Sequence, residues 1–167
     1  WGAGSAGSIL LNANNLSLTG GAQVVSSTTG AGQGGSVTAN AAQSISISGG
    51  GPQASGLFST ASSTGNAGEI AVSTPTLVMA DGGRISAATQ GAGNAGRIVL
   101  NVNNVTQTAG STIDSSTTGA GPGGKAERAG YKASEAGRVS LCGRRDLVEA
   151  CQSKQVELAK MPKDQFS

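Results

Sequence analysis

Short runs in which aliphatic and polar residues alternate recur along the first three quarters of the chain. In each repeat the first run is Ile9 and Leu11, Val37 and Ala39, Ile70 and Val72, then Ile98 and Leu100. The second run is Leu16 and Leu18, Ile45 and Ile47 (shifted by one residue), Leu77 and Met79, then Val105 and Gln107. The third run is centred on Val24, Leu57, Ile85 and Ile113. Alternation of this kind predicts half-buried β-strands, three per repeat, and no helix within the repeats.

A glycine tetrad, Gly-x-(Ala/Gly)-Gly, precedes the first run of every repeat. The closing glycines are Gly7, Gly35, Gly68, Gly96 and Gly124, at spacings of 28, 33, 28 and 28 residues. The five extra residues of the second repeat fall around Gly49–Ser55, which we interpret as a loop. Tetrads of this kind predict tight turns or close contacts between neighbouring coils. The repeat thus divides the chain into coils 8–35, 36–68, 69–96 and 97–124.

One such coil cannot bury its own aliphatic face, so we expect the coils to stack. At the strand spacing of ~4.8 Å, equivalent residues then form ladders, and every strand pairs with the coil above and the coil below. The position after the first run is Asn12, Asn40, Ser73 and Asn101. Stacked Asn side chains can hydrogen-bond to one another. The predicted fold is therefore an all-β, single-stranded parallel β-helix of about four coils.

Composition and charge narrow the class of function. The 167 residues include 28 glycines, four aromatic residues and no histidine, so the core must consist of small aliphatic side chains. Residues 1–124 carry five charges: Glu69, Asp81, Arg84, Arg97 and Asp114. Nucleic-acid binding requires clustered Lys and Arg, so no nucleic-acid partner is expected. No apolar run reaches about 18 residues, so no transmembrane helix is predicted.

Several segments resemble the repeat regions of cyanobacterial filamentous-haemagglutinin-like exoproteins of the two-partner secretion type. They are Gly-Asn-Ala-Gly-Glu-Ile-Ala-Val at 65–72, Gly-Asn-Ala-Gly-Arg-Ile-Val-Leu at 93–100, Asp-Gly-Gly-Arg-Ile-Ser at 81–86 and Ser-Gly-Leu-Phe at 55–58. The resemblance covers residues 4–124 and implies a right-handed β-helix exported through an outer-membrane β-barrel transporter. The family's amino-terminal secretion domain, with its Asn-Pro-Asn-Gly-type motif, is not in this sequence. The chain begins at Trp1 and is expected to be a piece of a longer protein.

Many parallel β-helices are enzymes that act on polysaccharides. A polysaccharide lyase or hydrolase needs clustered carboxylates, often with a basic residue. Glu69, Asp81 and Asp114 occupy different repeat positions. No Arg or Lys shares a column with Asp81 and Asp114. We therefore expect isolated solvated charges, with no catalytic, cofactor-binding or metal-binding residue. No Asp recurs as a calcium repeat requires, and no tetrad carries the Lys-Ser/Thr of a phosphate loop.

A strip of hydroxyl groups follows the third run. The segments Ser26–Thr29, Ser59–Ser63 and Ser115–Thr118 would stack into it, although the third coil has Ala-Ala-Thr-Gln at 87–90. The strip suits a solvated strand flank, since Thr favours strands. Two alternatives remain open: an array that orders water, as in ice-binding β-helices, and a weak glycan-contact face.

The last segment, residues 125–167, differs in composition and carries the other fifteen charges. Leu147, Cys151 and Leu158 fit one face of a short amphipathic helix over residues 145–160, with Asp146 in its first turn. That helix would cap the open end of the solenoid; the alternative is a flexible or unrelated tail. Cys142 and Cys151 would form a disulfide in an oxidising compartment or remain free thiols.

The resemblance implies a secreted or cell-surface protein associated with the outer membrane. Its function would be that of a structural or adhesive rod section, not of an enzyme. A glycan or another cell-surface ligand is the expected partner, beside the transporter that the resemblance implies. A carbohydrate-active β-helix enzyme and an ice-binding solenoid are the alternatives.

Overall fold

The computed structural model describes residues 3–108 and 110–129, together with 133–134, 138–140 and 156–157, and it is all-β over these residues. Long and short strands alternate along the repeats: β1 (Ile9–Thr19), β2 (Gln23–Val25), β3 (Val37–Ser48), β4 (Gly56–Phe58), β5 (Glu69–Ala80), β6 (Arg84–Ser86), β7 (Arg97–Gln107) and β8 (Thr112–Asp114). Each long strand pairs in parallel with the next long strand, and each short strand with the next short strand. The predicted parallel solenoid of about four turns is confirmed.

The predicted aliphatic ladders are also confirmed by the register of the strands. Ile9 is paired with Val37, Val37 with Ile70, and Ile70 with Ile98. The column of the short strands runs from Val24 through Leu57 and Ile85 to Ile113 in the same way. Parallel pairing in register places like side chains directly above one another, so each column packs into a continuous apolar stack.

Each turn has two strands where the sequence predicted three. The first two predicted strands form one long strand, because neighbouring strands bend at the same place and their pairing resumes beyond the bend, with a register shift beside β3. Burial marks the bend: in β3 the adjacent residues Ala42 and Gln43 are both exposed, and the inward alternation resumes at Ile45. A third contact line does exist, but only as single bridges joining Thr28, Ala61, Thr89 and Thr117.

The second turn accommodates its extra residues at two places. Ile45 lies eight residues after Val37, whereas Leu16 lies seven after Ile9, so one extra residue is placed at the bend of β3. The others lie in the loop between β3 and β4, as predicted for Gly49–Ser55. Beyond each insertion the register returns, so the inward columns are preserved.

The core is fully enclosed in the middle turns. Its largest fully buried aliphatic side chains include Ile45, Ile47, Leu57, Ile70, Leu77, Met79, Ile85, Ile98 and Ile113. Gln107 is in register with Met79 and stacks on it. Gln107 is itself buried, with 1% of its surface exposed. In the first turn Ile9 and Leu16 are only partly buried, because β1 has a paired neighbour on one side alone.

Strand pairing continues past Gly124, where the aliphatic repeat of the sequence stops. The further strands are β9 (Lys125–Ala129), β10 (Ala133–Ser134), β11 (Arg138–Ser140) and β12 (Val156–Glu157). Both β9 and β10 pair in parallel with β7, and β11 pairs in parallel with β8. The prediction of a helix over 145–160 is wrong at Val156–Glu157, because these residues form strand β12, which pairs antiparallel with β11. An open strand edge offers backbone hydrogen bonds that outweigh a weak local helix preference.

The remainder of that predicted helix, and both Cys142 and Cys151, lie outside the described residues. Across the described part of the chain, no helix is long and apolar enough to traverse a bilayer.

Candidate functional site

From the second tetrad onward, the closing glycine of each tetrad lies against the tetrad of the preceding turn. A Cβ on Gly68 would overlap the carbonyl oxygen of Gly35, and a Cβ on Gly96 would overlap that of Gly68. None of the closing glycines has a positive φ; within the described residues, the glycines with positive φ are Gly20, Gly21, Gly50, Gly82 and Gly110. Close approach of neighbouring turns, and not a left-handed backbone, therefore requires glycine in the tetrads.

Serine hydroxyls that follow the short strands form hydrogen bonds to the backbone of the tetrads. Ser59 Oγ donates to the Gly35 carbonyl at 2.6 Å and accepts from the Gly68 N–H at 3.0 Å. One hydroxyl thus joins the tetrads of two successive turns. Equivalent donors are Ser26 to the Gly7 carbonyl and Ser115 to the Gly96 carbonyl. Ala87 takes this position in the third turn, without a hydroxyl.

The predicted hydroxyl strip is consequently divided between the interior and the surface. Residues of these segments alternate inward and outward, and the inward set includes Ser59, Thr89, Ser115 and Thr117, each at most 4% exposed. The outward columns are Ser27, Thr60, Ala88 and Ser116, then Thr29, Ser62, Gln90 and Thr118. Ser27 and Thr60 form a direct hydroxyl–hydroxyl contact between turns there, at 2.7 Å, and Thr118 Oγ1 donates to the Gln90 carbonyl oxygen at 3.4 Å. The surface is therefore interrupted at the third turn and does not form a regular array.

The predicted asparagine column is formed and lies on the outer face of the long strands. Asn12, Asn40, Ser73 and Asn101 are in register. Asn40 Nδ2 donates to Asn12 Oδ1 at 2.9 Å. This hydrogen bond runs along the stacking direction, so the pair acts first as a structural link between turns.

The carboxylates are not isolated, which corrects the expectation from the sequence. Arg97 lies directly beside Glu69 in register, with Nη1 and Oε2 3.5 Å apart. Arg84 Nη2 contacts Asp114 Oδ2 at 2.8 Å. Arg84 pairs in register with Thr112, two residues before Asp114, so this ion pair runs diagonally between turns and no single column contains it.

The third carboxylate, Asp81, accepts a hydrogen bond from Ser48 Oγ at 3.2 Å. Among the described residues no group of three or more His, Cys, Asp or Glu side chains is placed to hold a metal ion. Glu69, Asp81 and Asp114 thus each contact a neighbouring turn, and they serve at least as links between turns.

A groove of about 610 Å³ runs along the tetrads of the last three turns. Its floor is formed by tetrad glycines with Ala67 and Ala95, where small residues leave the backbone uncovered. Gln33, Asn66, Asn94 and Pro122, each at the second position of a tetrad, line one side. Glu69, Arg97 and Lys125, each directly after a tetrad, line the other. This open, shallow groove, with polar side chains along both sides, is a candidate surface for ligand contact in the described residues.

Sequence reasoning did not identify this groove, although the sequence contains a signal for it. The second tetrad position and the position after the tetrad carry side chains whose identity changes from turn to turn, while the glycines recur. Because parallel register stacks equivalent positions, two such positions flanking a column of glycines must form two walls and a floor.

No family model matches this chain, and neither a curated protein nor a solved structure matches it. The class of protein, a parallel β-solenoid, therefore follows from the strand pairing itself.

Proposed function

We propose that this chain is a rod section of a secreted or cell-surface adhesin of the filamentous-haemagglutinin-like type. The observation that carries the proposal is the uninterrupted parallel pairing of the long strands from β1 to β7 and of the short strands from β2 to β8. Such a stack suits a spacer, because each turn is held by its neighbours and the length grows with the number of turns.

The surface chemistry also supports a role in contact more than in catalysis. Side chains on the outer face of the long strands are mostly small and polar, as in the asparagine column. The acidic residues of the described turns bond to side chains of adjacent turns: Glu69 to Arg97, Asp81 to Ser48, and Asp114 to Arg84. A general acid–base pair needs carboxylates that can exchange protons with a substrate, and these groups already have structural partners.

Secretion and the outer-membrane location belong to the same proposal and rest on the resemblance of residues 4–124. The coils contain no cysteine, so export in an unfolded form would meet no disulfide within them. The transporter would be the first partner of the parent protein, and a glycan or another cell-surface ligand the second.

The proposal is tested by adhesion under flow. Beads coated with the chain are passed over a panel of cell monolayers, beside beads coated with the Gly96→Val variant, whose added side chain would overlap the Gly68 backbone. We expect the chain to retain beads on at least one surface and the variant, which cannot stack its turns, to lose retention. Equal retention by both, or none on any surface, would overturn the proposal.

Two further measurements on the same protein separate the alternative functions. Release of reducing sugars from polysaccharides would favour a carbohydrate-active enzyme. Thermal hysteresis of a dilute solution would favour an ice-binding solenoid. We expect no thermal hysteresis, because the outward hydroxyl columns are irregular. We also expect no release of reducing sugars.

A further inference from the structure

The two walls of the tetrad groove repeat at the spacing of the turns. Asn66 and Asn94 occupy equivalent tetrad positions, and Asn66 Oδ1 accepts a hydrogen bond from the Asn94 backbone N–H at 2.8 Å. On the opposite wall Glu69 is in register with Arg97, and Arg97 with Lys125. Equivalent positions on each wall therefore recur about every 4.8 Å along the stacking direction, although their side chains differ from turn to turn.

Charge is concentrated in this groove compared with the rest of the turns. Its wall contains one carboxylate, Glu69, and two cations, Arg97 and Lys125. Arg97 is 49% exposed and Lys125 is exposed, so both remain accessible to a ligand. The Glu69–Arg97 distance of 3.5 Å describes a loose, solvent-exposed ion pair, which contributes little stability and is readily exchanged for another anion.

We propose that this groove binds an anionic polysaccharide that lies along the stacking direction. Successive sugar residues would then lie beside successive wall positions, among them Arg97 and Lys125. Acidic groups of the ligand contact Arg97 and Lys125, and side-chain amides such as Asn94 hydrogen-bond to its hydroxyls. The inference names a ligand class for the proposed adhesin and in that respect rests on the proposed function.

Other polyanions fit the groove less well. Single-stranded nucleic acids are bound through aromatic side chains on which bases stack, together with a strongly basic surface. The groove is lined by no aromatic residue among those the structure describes, and by only two cations. A polysaccharide requires neither stacking platforms nor a continuous basic field.

The experiment measures binding of purified polysaccharides to the immobilised full chain at low ionic strength. The probes are polygalacturonate, dextran sulfate, neutral dextran and single-stranded poly(U). Binding of either anionic polysaccharide, or of both, supports the proposal and identifies carboxylate or sulfate as the recognised group. Equal binding of neutral dextran, tighter binding of poly(U), or no binding of any probe would overturn it.

Two charge variants give the sharper test because they act in opposite directions. Lys125→Gln should weaken binding about threefold, and Glu69→Gln should strengthen it by a similar factor, since it removes a negative charge from the wall of the groove. Both side chains are exposed, so the thermal midpoint should not change. Unchanged affinity in both variants would contradict the assignment.

A double variant separates local recognition from net charge. Ser17→Lys combined with Lys125→Gln restores the total charge but places it on β1, outside the groove. We expect it to bind as weakly as Lys125→Gln alone; affinity equal to that of the parent chain would mean that only net charge matters. Because these assays contain no cells, the groove can fail while adhesion under flow persists, and adhesion can fail while the groove binds.

Discussion

Replacement of Gly68 by alanine isolates the energetic role of the tetrads. Gly68 closes the third tetrad, and an added Cβ would overlap the carbonyl oxygens of Gly34 and Gly35. The φ angle of Gly68 is not positive, so alanine is allowed by its own backbone and the cost is purely steric. Gly7 has the same place in the first tetrad, and a Cβ there meets nothing within 4 Å. The two positions form a matched pair.

The expected magnitudes follow from this difference. Forcing an extra methyl group against well-packed atoms costs about 1–3 kcal/mol, and the obstructing atoms here are backbone, which cannot rotate away. Alanine also restricts the unfolded chain, which stabilises the folded state by about 0.4–1 kcal/mol. We therefore expect Gly68→Ala to lose a net of about 0.5–2.5 kcal/mol of unfolding free energy and Gly7→Ala to gain about 0.4–1 kcal/mol.

Urea denaturation followed by the β-sheet signal in circular dichroism measures both variants. Unfolding of repeat proteins need not be two-state, so the midpoint is compared together with the slope of the transition. A lower midpoint for Gly68→Ala and an equal or higher one for Gly7→Ala would support the close-approach argument. Equal shifts in the two variants would refute it, because the same substitution would then act without regard to the neighbouring turn.

Three further stability predictions follow from individual contacts, each measured by the same denaturation assay. Ser59→Ala should lose about 1–3 kcal/mol because it leaves two buried backbone groups without their hydroxyl partner, whereas Ala87→Ser should not destabilise. Gln107→Leu should gain about 1–3 kcal/mol, because the buried Oε1 of Gln107 has no partner among the described residues. Leu77→Ala should cost about 2–5 kcal/mol, and Leu16→Ala in the same column distinctly less, because Leu16 is only partly buried. Reversed signs, or equal costs for the two leucines, would contradict these arguments.

The ladders were predictable because parallel stacking converts sequence spacing directly into contact. Once Ile9, Val37, Ile70 and Ile98 are recognised as equivalent, burial of one requires the others above and below it. The same logic predicted the contact between Asn12 and Asn40. Spacing also predicted that Ile45 and Ile47 return to register after a shift of one residue.

The contacts that were missed are those that leave a column. Arg84 reaches Asp114 across the pairing direction, so the two residues stand at unequal repeat positions and an alignment of columns cannot find them. Which serine side chains point inward was missed for a related reason. Ser26 and Ser27 are the same residue type, and the phase of the strand alternation decides which of them is buried.

The helix over 145–160 shows a different limit. Its evidence was a spacing of three apolar residues, which is a weak local signal against the free edge of an existing sheet. Val156 and Glu157 pair with β11 instead, and β11 itself pairs with β8. Residues next to an open solenoid end thus have an alternative to helix that local periodicity does not reveal.

One requirement connects the stability of this solenoid with its best candidate surface. Neighbouring turns approach closely at the tetrads only if the side chains there are removed, and their removal leaves a concave strip along the stack. The positions on either side of that strip are free of the packing constraint, and their residues change from turn to turn, as with Glu69, Arg97 and Lys125. The floor of the groove cannot vary, whereas the residues of its walls can. Such a repeat would therefore change its ligand without changing its fold.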